Sequence, residues 1–318
     1  MLPLIAFGEV LIDFLQNPQA PDQFQRFAGG APANVAVAFA RQHGKAWFVG
    51  MVGADMFGDF LRAQLQAQQV NTDYLRSTTE AKTALAFVAL DEQGDRSFSF
   101  YRPPAADLLY RATMFPQQLW QQPALFHLCS NSLTEDDIAA CTLKLAMQAT
   151  AAGAVVSVDA NLRHNLWKSG HADRMLVLQL LRLAQLVKLS QDELDYLAEG
   201  IGEAILLETL LQAGVLWILI TNGSAAVRSV TLYGEQQFAV PAITVVDTTA
   251  AGDAFVGGWL SQLAMQMQDQ STLLQLIAEP EKLSAVVHYA IACGAYACGR
   301  YGAFASLPAP EDIQSATA

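Results

Sequence analysis

Val245-Val246-Asp247-Thr248-Thr249-Ala250-Ala251-Gly252-Asp253-Ala254-Phe255-Val256-Gly257-Gly258 is the stretch whose reading decides the fold. An apolar β-branched run, Ile243 to Val246, leads into small residues from Thr248 to Gly252. Bulky groups then return at helical spacing, in Ala254-Phe255-Val256 and Trp259-Leu260. The pattern predicts strand, tight turn and helix. Small residues let helix-start amides approach a ligand, and a helix N-terminus attracts negative charge. Asp253, in the first helical turn, is expected to stay ionised there. A deprotonated carboxylate beside an anion-binding turn suits phosphoryl transfer to a hydroxyl. First-turn Asp and small turn residues also occur at helix starts that bind nothing, so the stretch does not decide function alone.

The 318 residues are 53% hydrophobic and 15% charged, enough for one large α/β domain or a core with a small appendage, and too apolar for disorder. With 30 acidic against 18 basic side chains, the net charge of −12 disfavours nucleic acid and anionic membranes as partners. An anionic substrate then needs a local positive site. Cys129, Cys141, Cys293 and Cys298 lack metal-type spacing and read as buried free thiols in a reducing compartment. Glu9 and Asp13 interrupt the apolar start, which reads as a strand and not a signal peptide, and no stretch has the length of a membrane span. The expected location is the cytoplasm.

Upstream, Leu4–Phe7 is a buried strand, and Val10–Leu15 is a second apolar segment holding Asp13, a hydroxyl acceptor or a solvated edge residue. Phe27-Ala28-Gly29-Gly30-Ala31-Pro32-Ala33-Asn34 follows: a glycine pair, a proline suited to a first helical turn, and an Ala-rich helix. Asn34 reads as a ligand amide or as an ordinary helix-start residue. Residues 83–90 and 96–101 flank a polar turn, Asp91-Glu92-Gln93-Gly94-Asp95, and form a hairpin. With residues 10–28, the segment 83–107 makes a small sheet suited to a lid that excludes water. From Leu125 on, strands alternate with helices, which predicts a parallel sheet covered on both faces. Polar residues cluster where these strands end, including Asp159, Asn161, Arg163, Lys188 and Thr221. The last third is helical, and the tail after Pro308 is expected to be loose.

The two glycine-containing motifs together closely resemble those of the ribokinase/PfkB sugar kinase family. The resemblance extends through Gly53-x-Asp55-x-Phe57-Gly58, Asp159-x-Asn161-x-Arg163, Lys188-Leu189-Ser190-x-x-Glu193 and Thr221-Asn222-Gly223. Gly8-Glu9-Val10-Leu11-Ile12-Asp13, Arg102-x-Pro104-x-Ala106-Asp107 and His127-x-Cys129-Ser130-Asn131 make it most similar to the bacterial fructokinase branch. The resemblance implies a single ribokinase-like α/β domain over residues 1–318, with a small β-sheet lid. It also implies ATP-dependent phosphorylation of D-fructose in the cytoplasm.

It further implies roles. Asp13, Gly29, Gly30, Asn34 and Arg102 would bind the sugar. Asp253 would be the base, and Arg163 would reach the sugar or the transferred phosphoryl. The amides of Ala251, Gly252 and Asp253 would form an anion hole. Lys188, Thr221, Gly223, Ala250 and Gly252 would line the nucleotide site, and Glu193 would organise Mg²⁺ through water. Asp247, Thr249, Ala297, Arg300, Gly302 and Ser306 would hold a monovalent cation such as K⁺, some through carbonyls. A homodimer paired through the lid edge is expected. Ala250 stands where the family has glycine and strains the turn by about 1 kcal/mol if its φ is positive. Ser190 replaces the usual asparagine, and Ser224-Ala225-Ala226 follows Gly223 without the usual glycine. Kinases of 2-keto-3-deoxygluconate, ribose or a riboside remain open, as does a sugar-binding sensor with weakened catalysis.

Overall fold

The structure, a computed structural model, describes residues 1–17, 20–90 and 96–317. The polar turn expected at Asp91–Asp95 lies outside the described residues. The chain opens with β1 (Leu4–Phe7), β2 (Leu11–Asn17), β3 (Ala20–Gly29), α1 (Ala31–Arg41), β4 (Ala46–Gly53), α2 (Met56–Ala67), β5 (Leu75–Thr78), β6 (Leu85–Leu90) and β7 (Arg96–Tyr101). The alternating middle holds β8 (Leu125–Cys129), α3 (Asp136–Ala151), β9 (Val155–Asp159), α4 (Arg174–Leu181), β10 (Leu186–Ser190), α5 (Gln191–Ala198), α6 (Glu203–Gln212) and β11 (Trp217–Thr221). A hairpin, β12 (Val227–Thr231) and β13 (Gly234–Phe238), precedes α7 (Ala251–Gln266), α8 (Gln270–Ile277), α9 (Pro280–Cys298), α10 (Ala303–Ser306) and α11 (Pro310–Thr317).

The large sheet runs β13-β12-β11-β10-β9-β8-β1-β4-β5. It is parallel from β11 to β5, and only β12 and β13 pair antiparallel. Its strands bury both faces, as a covered parallel sheet must. Leu4 and Ala6 pack into one core with α1, α7 and α9, while Ile5 and Phe7 pack into the other with α3 to α6. Period-two alternation thus feeds two cores from one strand. The second sheet, β3-β2-β6-β7, pairs β2 with β6 in parallel and the other neighbours antiparallel. Phe14 stacks on Phe87 at 4.8 Å between ring centroids, and Phe24 meets Phe87 edge-on at 5.5 Å. Aromatic pairs of this kind stiffen a small sheet that has little core of its own.

Two expectations are corrected. Ile243 to Val246 is not a strand: Ile243, Val245 and Val246 are exposed, and the segment is irregular. Strand composition is not enough without a neighbouring strand to pair with, and this run pairs with none. The amides of Val246 and Asp247 bond instead to the Cys298 carbonyl, at 2.8 and 3.1 Å. The tail is not loose either. Pro310 opens α11, Glu311 and Asp312 occupy its first turn, and Ile313 is buried beneath it.

What places the site is the crossing of α1 and α7. A Cβ on Gly257 would lie 2.3 Å from the Ala38 Cβ, and one on Gly258 would lie 2.6 Å from the Cys293 Sγ of α9. The two glycines let α7 sink between α1 and α9. Gly257→Ala is expected to retain the fold and to lose about 1–3 kcal/mol by overpacking. It also wedges α1 from α7 one turn below Asn34 and Asp253, so its phosphotransfer activity falls more than its denaturation midpoint predicts. Urea melts beside steady-state rates check this, and activity kept in full would count against the helix crossing as the setting device.

Candidate active site

α7 begins from Ala250, whose φ of 59° and ψ of 12° place it in the left-handed region. The methyl group there costs about 1 kcal/mol relative to glycine. The first helical bond runs from the Ala254 amide to the Ala250 carbonyl at 2.8 Å. The Gly252 and Asp253 amides therefore precede the helix ladder and carry its positive end. The Ala251 amide is turned back onto the Thr248 carbonyl at 3.3 Å, so of the three amides expected to form an anion hole, this one is already engaged.

α1 begins where Gly30, at φ 107°, turns the chain off β3; the Asn34 amide makes the first ladder bond, to the Gly30 carbonyl at 2.8 Å. A Cβ on Gly30 would lie 2.6 Å from the Glu9 carbonyl oxygen, and one on Gly29 would lie 1.9 Å from Asp13 Oδ2. Gly29 therefore makes the space that the Asp13 carboxylate occupies. The two motifs meet at one contact: Asn34 Nδ2 donates to Asp253 Oδ2 at 2.7 Å. Around it lies a cavity of about 320 Å³ lined by, among others, Asp13, Gly30, Asn34, Arg102, Arg163, Ala250 and Asp253. The Asn34 Oδ1 is buried and has no hydrogen-bond partner among the described residues.

The electrostatics correct one further expectation. Asp253 is not held ionised by the helix start. Burial dominates and pushes its carboxyl up to about 7, against the opposing pull of the Asn34 hydrogen bond; the Asp159 carboxylate pushes the same way as burial. Desolvation outweighs a helix terminus whose favourable effect is about 1 kcal/mol. A pKa near the working pH is what a general base needs.

Beneath the turn, Lys188 Nζ lies 3.4 Å from the position a Gly252 Cβ would take, and pairs with Asp159 Oδ1 at 3.1 Å. The pair is buried; its lysine is held charged by Asp159 and Glu193, which outweigh the cost of burial. Glu193 accepts from the Leu162 amide and from the Ser190 amide, both at 2.7 Å, while Ser190 Oγ accepts from the Glu193 amide. Ser190 is thus the cap of α5 in a reciprocal capping box, which explains serine at this position. Through Leu162, Glu193 also ties down the loop that carries Arg163, an exposed cation on the cavity rim.

Other predicted residues, Thr249 excepted, lie outside the cavity lining. Thr221 ends β11, its hydroxyl 3.4 Å from the Leu189 carbonyl, and Gly223 takes a positive φ of 54° in the exposed turn beyond. Asp247 clamps two loops, accepting from the Thr249 amide at 2.7 Å and from the Gly302 amide at 3.0 Å. The Ala297 carbonyl accepts from the Arg300 amide, the Arg300 guanidinium stacks over Tyr296, and Ser306 Oγ bonds to Ala303. Of these six residues the hydrogen bonds join Asp247, Thr249 and Gly302. Among the described residues the structure shows no cluster of three His, Cys, Asp or Glu side chains suited to a metal.

Residues 1–310 match the pfkB family carbohydrate kinases. The chain belongs to that family. A fructokinase of Xylella fastidiosa, solved with bound ATP, is 44% identical and superposes with a TM-score of 0.95, covering 98% of this chain and 97% of that one. The fructokinase of Vibrio cholerae O395, solved with fructose, ADP and calcium, is 31% identical, with a TM-score of 0.86 and coverage of 99% and 98%. A probable chloroplastic fructokinase of Arabidopsis thaliana is 37% identical over 321 residues, 98% of this chain and 82% of its own length. The protein is a sugar kinase with the expected architecture, a large mostly parallel sheet between helices and a smaller separate sheet.

In this pfkB kinase, sequence reasoning missed Glu9 as part of the cavity wall. Glu9 is buried, lines the cavity, and accepts from Asn131 Nδ2 at 2.9 Å. Its signal was a carboxylate directly after an apolar strand, which reads equally well as a strand breaker.

Two outcomes are expected. Asp253→Asn removes a carboxylate whose folded pKa is raised. That raised value costs stability progressively as pH rises above about 4, and in full above about 7. The variant's gain in midpoint denaturant is therefore larger at pH 8 than at pH 5; an equal gain at both would contradict the burial of this charge. Ala250→Gly relieves the left-handed strain but adds chain entropy in the unfolded state, so stability changes by less than about 1 kcal/mol. Its turnover changes modestly, as steady-state kinetics would report.

Proposed function

We propose that this kinase transfers the γ-phosphoryl group of ATP to the terminal primary hydroxyl of D-fructose, giving fructose 6-phosphate. The carrying observation is the 2.7 Å bond from Asn34 to Asp253, which joins a hydroxyl-binding motif to a carboxyl with a pKa near neutrality. Fructokinases named among its relatives, one with bound ATP and one with fructose and ADP, support both substrates. Asp13 and Asn34, with backbone at Gly29 and Gly30, hold sugar hydroxyls. Arg102 contributes its buried Nη1, which has no partner among the described residues. Asp253 takes the proton from the reacting hydroxyl. Charge developing on the phosphoryl oxygens falls on the Gly252 and Asp253 amides, with Lys188 beneath and Arg163 at the rim. Lys188, Thr221, Gly223, Ala250 and Gly252 form the nucleotide side. The lid sheet excludes water as a competing acceptor.

Asp159 and Glu193 place two carboxylates near Lys188, which offsets them only in part. That donor set fits Mg²⁺ held through water, and the ion, when bound, would neutralise phosphate oxygens. The loops clamped by Asp247 fit a monovalent cation such as K⁺, with Thr249, Ala297, Arg300, Gly302 and Ser306 around it. The reading includes a cytoplasmic homodimer paired through the lid. Among the described residues, no helix is long and apolar enough to cross a membrane.

ADP release over fructose, ribose, a riboside and 2-keto-3-deoxygluconate tests the assignment, with fructose expected to give the highest kcat/KM. Asp253→Asn is expected to lower kcat by about 10³-fold or more while KM moves little. In the unaltered enzyme kcat/KM falls as pH drops below about 7, because the protonated carboxyl cannot accept a second proton. Fructose binding without ATP turnover would favour the sensor reading and overturn this one.

A further inference from the structure

Glu9, Arg102 and Asn131 in the cavity wall, with Asp107 paired to Arg102, form a polar block that the phosphoryl chemistry leaves unexplained. Arg102 Nε and Nη2 both reach Asp107 Oδ2 at 2.7 Å, and Nη2 also donates to the Asn131 carbonyl at 2.9 Å. Glu9 accepts from Asn131 Nδ2 at 2.9 Å and from the Ala31 amide at 3.4 Å. The Arg102 and Asp107 side chains are only 2% and 4% exposed, so water screens their charges little. Three atoms of the block, Arg102 Nη1, Asp107 Oδ1 and Asn131 Oδ1, are buried without a partner among the described residues. They offer one donor and two acceptors, enough to meet a hydroxyl as both acceptor and donor.

The charges decide what else the block accepts. One guanidinium faces two carboxylates. Burial pushes the Glu9 carboxyl up, against the pull of Arg102. With Glu9 ionised the block carries a net negative charge and has no positive charge to spare. The block lines the same cavity as Asp253 but interacts with a different set of groups. Asp253 responds to Asn34, Asp159, Arg163 and Lys188, whereas Glu9 responds to Arg102, Asn131 and Asp107, with no member shared. A sugar with its reactive hydroxyl at Asp253 presents its other end here.

We propose that Glu9 and Asp107 make the cavity selective for neutral sugars: they consume the charge of Arg102, so a sugar carrying a carboxylate at the end opposite its reactive hydroxyl is rejected. The inference rests on the sugar-kinase reading above and names which sugars that site takes. A carboxylate brought against the block loses its hydration and gains no free cation, a repulsive device against the wrong substrate.

ADP release is measured for the unaltered enzyme, Glu9→Gln and Asp107→Asn, with D-fructose and with 2-keto-3-deoxy-D-gluconate, beside the thermal shift each sugar produces. The unaltered enzyme is expected to prefer fructose in kcat/KM by about 100-fold or more. Glu9→Gln, which keeps the Arg102–Asp107 pair, narrows that ratio by about fivefold or more, chiefly through a lower KM for the acid. Asp107→Asn narrows it further; if it fails to fold, Glu9→Gln decides alone. A folded Glu9→Gln enzyme with less narrowing overturns the proposal, as does an unaltered enzyme that takes the acid as well as the neutral sugar. If another neutral sugar is phosphorylated in place of fructose, the fructose assignment fails and the ratio is formed with that sugar. If none is phosphorylated, the thermal shifts decide, a shift by the acid equal to that by fructose counting against charge rejection.

Discussion

The approach of α1 to α7 is the constraint on which the site depends. Ala38 and Gly257 touch at a distance that only glycine permits on α7. Asn34 and Asp253 sit one helical turn away on the same two faces, since residues four apart share a face. The packing contact and the 2.7 Å hydrogen bond are therefore two turns of one interface. Close packing sets the distance, burial follows from it, and burial raises the carboxyl toward neutrality. A looser crossing would hydrate Asp253 and return it to an ordinary carboxylate, a weaker base at neutral pH.

The surrounding charges follow from that burial. A raised carboxyl at the helix start leaves the turn free to attract another anion. Lys188 supplies the counter-charge from below, and its own burial is sustained by Asp159. Glu193 serves the same region by holding backbone, tying the loop after β9 to the start of α5. An acidic protein of net charge −12 thus keeps a buried cation beneath the α7 helix start, where the proposed mechanism brings phosphate.

Much of this was legible in the residues. Alternation of strands and helices after Leu125 gave the parallel sheet, and the two glycine-containing motifs gave the cavity's principal walls. The failures share a cause. Ile243 to Val246 has strand composition but bonds to the end of α9 and not to a strand, and composition does not carry that topology. The ionisation of Asp253 was misjudged because local sequence reveals the helix terminus and not the depth of burial against Asn34, 219 positions away. Glu9 was missed for the same reason: its partners Asn131 and Arg102 arrive from the turns just after β8 and β7, and only the fold assembles them.

The raised carboxyl of Asp253 also divides the molecules in solution. At a pH equal to its pKa, about half carry a proton on this proposed base and half do not. Only the ionised half can receive a hydroxyl as a hydrogen-bond donor in the reactive orientation. Productive association is weakened by that fraction, a factor of about two near neutrality, growing toward tenfold for each pH unit below. The same equilibrium makes productive binding at neutral pH release protons, so the heat measured on mixing will depend on the ionisation enthalpy of the buffer that takes them up.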